Sequence, residues 1–153
     1  MYVDKCTDVV CDDGLSFGQR NQDGYLEAQV TAPLPIEYPN DVDWRTIPHD
    51  LMYELLALPN RADGAINAIS FAGNIAHPPD FEEYFEARRS HFIDLGLRSA
   101  ALAARLPAAY KIPALTVGDW SPTERLIQEK RALEELDARR ASQGPPEFLN
   151  DDA

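Results

Sequence analysis

No run of about 18 consecutive apolar residues occurs in this 153-residue chain, so the pattern of a membrane-spanning helix is missing. The opening residues, MYVDKCTDVVCDD, have neither the basic start nor the apolar stretch of a secretory leader, and a cytoplasmic protein is the expectation. Cysteine is scarce. Cys6 and Cys11 form a C-x4-C pair with no second pair and no histidine beside it. Two free thiols is the reading, with a local disulfide or a metal site completed by a partner as the alternatives. Only three histidines exist, His49, His77 and His91. The H-E-x-x-H pattern is absent, and so is the doubled Glu-x-x-His of a carboxylate-bridged metal bundle. Glu83, His91 and Asp94 would share one helical face, but Ala87 stands where a further ligand is needed. There is no G-x-S-x-G, no phosphate-binding glycine loop and no GxGxxG. The sequence therefore assigns no catalytic residue, no metal ligand and no cofactor, and it weighs against an enzyme.

Basic residues are also few. Fourteen bases face twenty-six acids, a formal net charge of −12. Such a surface repels nucleic-acid phosphates and anionic membranes unless its bases cluster. The densest basic places are Arg88–Arg89, Lys130–Arg131 and Arg139–Arg140, and each is interleaved with acids. Direct nucleic-acid binding and membrane binding are not expected; a protein with a basic surface is the partner the charge favours.

What is present is helical periodicity, after an irregular start. Residues 1–47 are punctuated by Gly14, Gly18, Gly24, Pro33, Pro35 and Pro39. Tyr25–Thr31 is the best strand candidate and a short hairpin the most regular structure expected there, with Val9-Val10 as another strand candidate. This segment reads as an extended arm whose Tyr38 and Trp44 lie on the helical body or on another chain. Residues 48–142 read as a bundle of about four helices, and 143–153 as an acidic flexible tail with one apolar spot at Phe148. Overall the chain reads as mainly α.

Within the bundle, Pro59 is expected to end a first helix that starts near Pro48, and Asn60 to cap the second. In the second helix Asp63, Asn67, Ser70 and Asn74 are spaced by 4, 3 and 4, one polar edge on an otherwise apolar cylinder. That composition predicts a helix central to the core, with Ile69 buried and the polar edge opening on water, a buried network or a ligand groove. Asp80 is the expected cap of a long third helix, Phe81 to Leu106, whose apolar stripe contains Arg88. An arginine there must find an acid, Asp63 on the preceding helix or a carboxylate on a partner, because a buried unpaired charge is costly. Pro107 and Pro113 frame a linker. Ser121, Pro122 and Glu124 spell a capped start for the fourth helix, which runs to about Ser142, with Trp120 as a staple.

The function expected from these features is a non-catalytic interaction module, a small acidic helical subunit or adaptor. Tyr38, Trp44, Arg88 and Phe148 are its candidate partner contacts. Two alternatives come from other classes. One is an acidic inhibitor that imitates nucleic acid. The other is a ligand-binding or catalytic bundle that uses the groove of Asp63, Asn67, Ser70 and Asn74.

Overall fold

In a computed structural model, which describes residues 1–110 and 121–144, the chain is a small bundle of four helices. These are α1 (Tyr2–Val10), α2 (His49–Ile75), α3 (Glu82–Tyr110) and α4 (Pro122–Ser142). The helices are divided differently from the sequence expectation at two places. Among the described residues none is long and apolar enough to cross a membrane.

The first difference is α1. The start of the chain, expected to be extended, folds as a helix of nine residues. Val3, Cys6, Val9 and Val10 fall on one side of it and are all buried, Cys6 completely. Thr7 is buried as well, and its hydroxyl donates to the Val3 carbonyl at 2.9 Å, so the polar group costs little. This helix packs against both α3 and α4. At that junction a Cβ on Gly96 would stand 2.5 Å from Leu126 Cδ1 and 3.1 Å from Cys6 Cβ. A glycine at 96 is what lets three helices meet.

The second difference is α2, which runs unbroken through Pro59 for 27 residues, about 40 Å. A proline inside a helix leaves the carbonyl four residues earlier without its donor. Here that carbonyl belongs to Leu55, and the Tyr38 hydroxyl donates to it at 2.6 Å. The segment before the bundle thus repairs the helix where the proline damages it. On either side of Pro59, Leu55, Leu58, Ala62 and Ala65 remain buried, so packing holds both halves in line.

The half of α2 expected at the centre of the core is instead at its edge. Ala62, Ala65 and Ile69 are buried, but Ile66, Phe71 and Ile75 are exposed. The central strut is α3, which packs against each of the other three helices and supplies the fully buried Phe92 and Leu95. It continues past Pro107, where the sequence suggested a stop. Asp80, expected as its cap, instead pairs with Arg20 at 2.5 Å. For α4 the start is as read: Ser121 Oγ accepts from the Glu124 amide at 3.3 Å with Pro122 in the first turn. Trp120 lies outside the described residues.

Residues 11–43 form an irregular strap. Its one β-bridge joins Ser16 and Gln19, and Tyr25–Thr31 has no strand partner among the described residues. Val30, Ile36, Tyr38 and Val42 turn inward onto the core, followed by Trp44 in a short 3-10 turn, Trp44–Thr46. Charged ties close the ends of the bundle. Arg105 on α3 reaches Asp50 at 2.6 Å and Glu54 at 2.7 Å on α2, and Arg140 on α4 reaches Glu86 at 2.6 Å on α3.

Candidate functional site

The strap is fastened to α3 by one buried ion pair. Asp12 follows the end of α1, and its side chain is 1% exposed. One carboxylate oxygen accepts from the Gly14 amide at 3.0 Å; the other accepts from Gln29 and Val30, both at 2.9 Å. That second oxygen also takes a hydrogen bond from Arg88 Nη2 at 3.0 Å, and the same nitrogen donates to the Val30 carbonyl at 2.9 Å. The guanidinium lies 5.6 Å from the centre of the Tyr84 ring, which adds a cation–π contact. Gly14 completes the turn with φ at +75°, and a Cβ there would meet the Phe85 ring at 2.6 Å. Arg88 Nε finds no acceptor among the described residues. The acid that Arg88 requires is thus Asp12, 76 positions away, and not the expected Asp63, which is exposed on α2, or a partner's carboxylate.

Beside this clasp, a cleft of about 570 Å³ lies between the end of α1, the first half of α3 and α4. Leu26, Phe85, Leu133 and Leu136 give it apolar walls. Its charges are largely matched in pairs. Glu129, buried on α4, holds Arg89 and, at 2.7 Å, Arg125; Glu82 and Glu86 are held by Arg140. Exposed Cys11 lines the cleft and Cys6 is buried in the core, both as free thiols. Burial pushes the Cys6 thiol from 9.0 up to about 12, despite a hydrogen bond with Tyr2 that works the other way. A second cavity of about 340 Å³, at the other end of α1, is lined by Ile36, Leu55, Leu58 and Leu102 and by Ser99, whose hydroxyl has no hydrogen-bond partner among the described residues.

Neither cavity assembles recognisable chemistry. Among the described residues no three His, Cys, Asp or Glu side chains converge to hold a metal. None of His49, His77 and His91 lines either cavity. What the cleft offers is shape and matched charge, which suits binding.

The residues singled out by the sequence are not brought together. Arg88 is 5% exposed and spent on Asp12. Tyr38 and Trp44 meet edge to face at 5.1 Å and lie against the core. Asp63, Asn67, Ser70 and Asn74 are all exposed on the outer side of α2, and none of them lines the cavities described above. Phe148 falls outside the described residues. Sequence reasoning missed the structural weight of Asp12 and Glu129. Asp12 sits in no periodic pattern that could have marked it; the i,i+4 spacing of Glu129 from Arg125 gave their pair, but not its burial or its hold on Arg89.

The most one-sided electrostatic feature is the strap. Residues 11–43 hold seven of the twenty-six acids and one of the fourteen bases, a net of −6 out of −12. Asp13, Asp23, Glu27, Glu37 and Asp41 are all exposed, and none has an ion-pair partner among the described residues. The helical body differs, because most of its arginines already bridge helices or turns. Compared with protein-family models, with curated proteins and with solved structures, the chain matches none of them.

Proposed function

We propose that this protein is a non-catalytic interaction module, an acidic helical subunit whose strap docks on a protein with a basic surface. The observation that carries the reading is that five carboxylates of the strap, Asp13, Asp23, Glu27, Glu37 and Asp41, are exposed and free of ion-pair partners among the described residues. Unpaired surface charge of one sign steers an oppositely charged partner and sets its orientation. The strap is also held firmly from beneath, by the Asp12–Arg88 clasp and by the Tyr38 hydroxyl, so it presents those charges without much ordering cost on binding.

The test is affinity capture from the source organism with the intact chain and with a Glu27→Lys, Glu37→Lys, Asp41→Lys variant. A stoichiometric partner with a basic surface is expected, released by salt near about 0.5 M and lost with the reversed charges. Equal capture by both proteins would remove the strap from the interface. The same one-sided acidity favours a second reading, an inhibitor that occupies the nucleic-acid site of its target. Competition by duplex DNA for the captured partner separates the two.

A further inference from the structure

The outer face of α2 carries a different kind of signal. Opposite its buried side stand Tyr53, Leu56, Phe71 and Ile75, which are 74%, 47%, 66% and 49% exposed. Four large apolar side chains along one helix face are more than a solvated helix ordinarily shows. From Leu55 to Ile75 the helix has only two charged residues, Arg61 and Asp63, and its exposed polar groups are mainly the neutral amides Asn60, Asn67 and Asn74. Near the middle of the face is Gly64, with nothing within 4 Å of the place where a Cβ would stand. A glycine there costs the helix up to about 1 kcal/mol relative to alanine and gains no contact within this chain.

The order of these residues is nearly symmetric about Gly64: Tyr53 and Ile75 lie 11 residues to either side, Leu56 and Phe71 lie 8 and 7, and Asn60 and Asn67 lie 4 and 3. When a second copy of α2 is laid antiparallel with its Gly64 at the same level, Tyr53 meets Ile75, Leu56 meets Phe71 and Asn60 meets Asn67. To within one residue of register, these four apolar groups face one another and Asn60 faces Asn67; Asn74, nearer the end, falls opposite Glu54. The two glycines meet at the centre, where the missing side chains let the axes come within about 8 Å. Such self-matching is what a two-fold interface requires, because one patch must complement itself. The antiparallel sense also sets the two helix dipoles head to tail.

From this we infer that the outer face of α2 is a homodimer interface, occupied by α2 of a second copy in antiparallel register about Gly64. It uses none of the strap carboxylates, so it stands or falls apart from the reading above. A seam one helix wide is small for a specific interface, under about 1,200 Å², and association in the micromolar range is expected. Two chains of charge −12 repel each other, so salt strengthens this contact, whereas it weakens docking of a basic protein.

The experiment is sedimentation equilibrium of the full chain up to ~100 µM, a concentration chosen for micromolar association, at low and high salt. It compares the wild type with Gly64→Leu and Phe71→Glu, and thermal melts confirm that each variant is folded. The expected result is a species of twice the 17.1 kDa chain mass, tighter in salt and weakened at least about tenfold in both variants. Both substitutions fall on exposed positions, so the monomer should tolerate them. A second measurement fixes the register. In a Cys11→Ser background, a mixture of Asn60→Cys and Asn67→Cys chains should form the mixed disulfide in preference to either self-pair. A wild type monomeric throughout, a dimer indifferent to both substitutions, or crosslinking of Asn60→Cys chains mainly to themselves would each overturn the inference.

Discussion

At the scale of single residues, the most specific relationship in the molecule joins Tyr38 to a proline it never follows in the chain. The Tyr38 hydroxyl supplies the donor that Pro59 withholds from the Leu55 carbonyl. Removing the hydroxyl should therefore cost about 1–2 kcal/mol in the natural chain and close to nothing once Pro59→Ala restores the backbone donor. Denaturant melts of Tyr38→Phe, Pro59→Ala and the double variant measure this coupling directly. Equal costs in both backgrounds would show that the hydrogen bond carries no such role.

Cys6 gives a second test at this scale. Burial raises its thiol from 9.0 to about 12 in the folded protein, so the unfolded chain ionises first as pH rises. The stability from this group is whole below pH 9, declines from there and levels off near pH 12. The slope is about 1.4 kcal/mol per pH unit while only the unfolded thiol is charged. Cys6→Ala should flatten that alkaline decline in a series of thermal melts between pH 8 and 11. Residue-scale features were half legible in the sequence. That Arg88 needs an acid followed from its place on an apolar stripe; that the acid is Asp12 did not, because the two are joined only by the fold.

At the scale of elements, legibility depended on whether an element announces its own ends. α4 does, through Ser121, Pro122 and Glu124, and its bounds were readable to within a residue or so. α1 does not. Its cap position is Met1, which makes no side-chain capping bond, and its Val9-Val10 ending resembles a strand. Its helical state comes from packing on α3 and α4, which no local pattern encodes. Pro59 misled in the opposite direction, because the tyrosine that compensates it lies in a different segment. The meeting of α1, α3 and α4 predicts a sharp sensitivity. Gly96→Ala adds a methyl against the Leu126 side chain and Cys6, and should destabilise by about 1–3 kcal/mol through overpacking. This is opposite in sign to the small gain alanine gives an exposed helix position. A rise in the melting temperature would show that the junction has slack.

At the scale of the whole molecule, the strap and α1 cannot be treated as an appendage to a self-sufficient bundle. A chain beginning at Thr46 loses Val3, Cys6, Val9 and Val10, uncovers Leu126, and strips Arg88 of Asp12. Such a truncation should fail to melt cooperatively, which circular dichroism and calorimetry would report. A cooperative transition close to that of the full chain would mean that α2, α3 and α4 hold together alone. The bundle architecture as a whole was legible from apolar periodicity. Which helix sits at its centre was not, since the most apolar helix, α2, turned out to lie at the edge with an apolar face turned outward.

The position of α1 also sets a schedule for synthesis. Thr7 and Pro122, which touch in the finished fold, are 115 positions apart in the chain. A ribosome adding about 5–20 residues per second leaves α1 waiting roughly 6 to 23 s for the helix that covers it. Until then the side of α1 that α4 covers stays open, although α3 is made earlier, and it is available to a holding chaperone or to another nascent chain. The yield of folded protein should then follow elongation speed and chaperone supply more closely than the melting temperature would suggest.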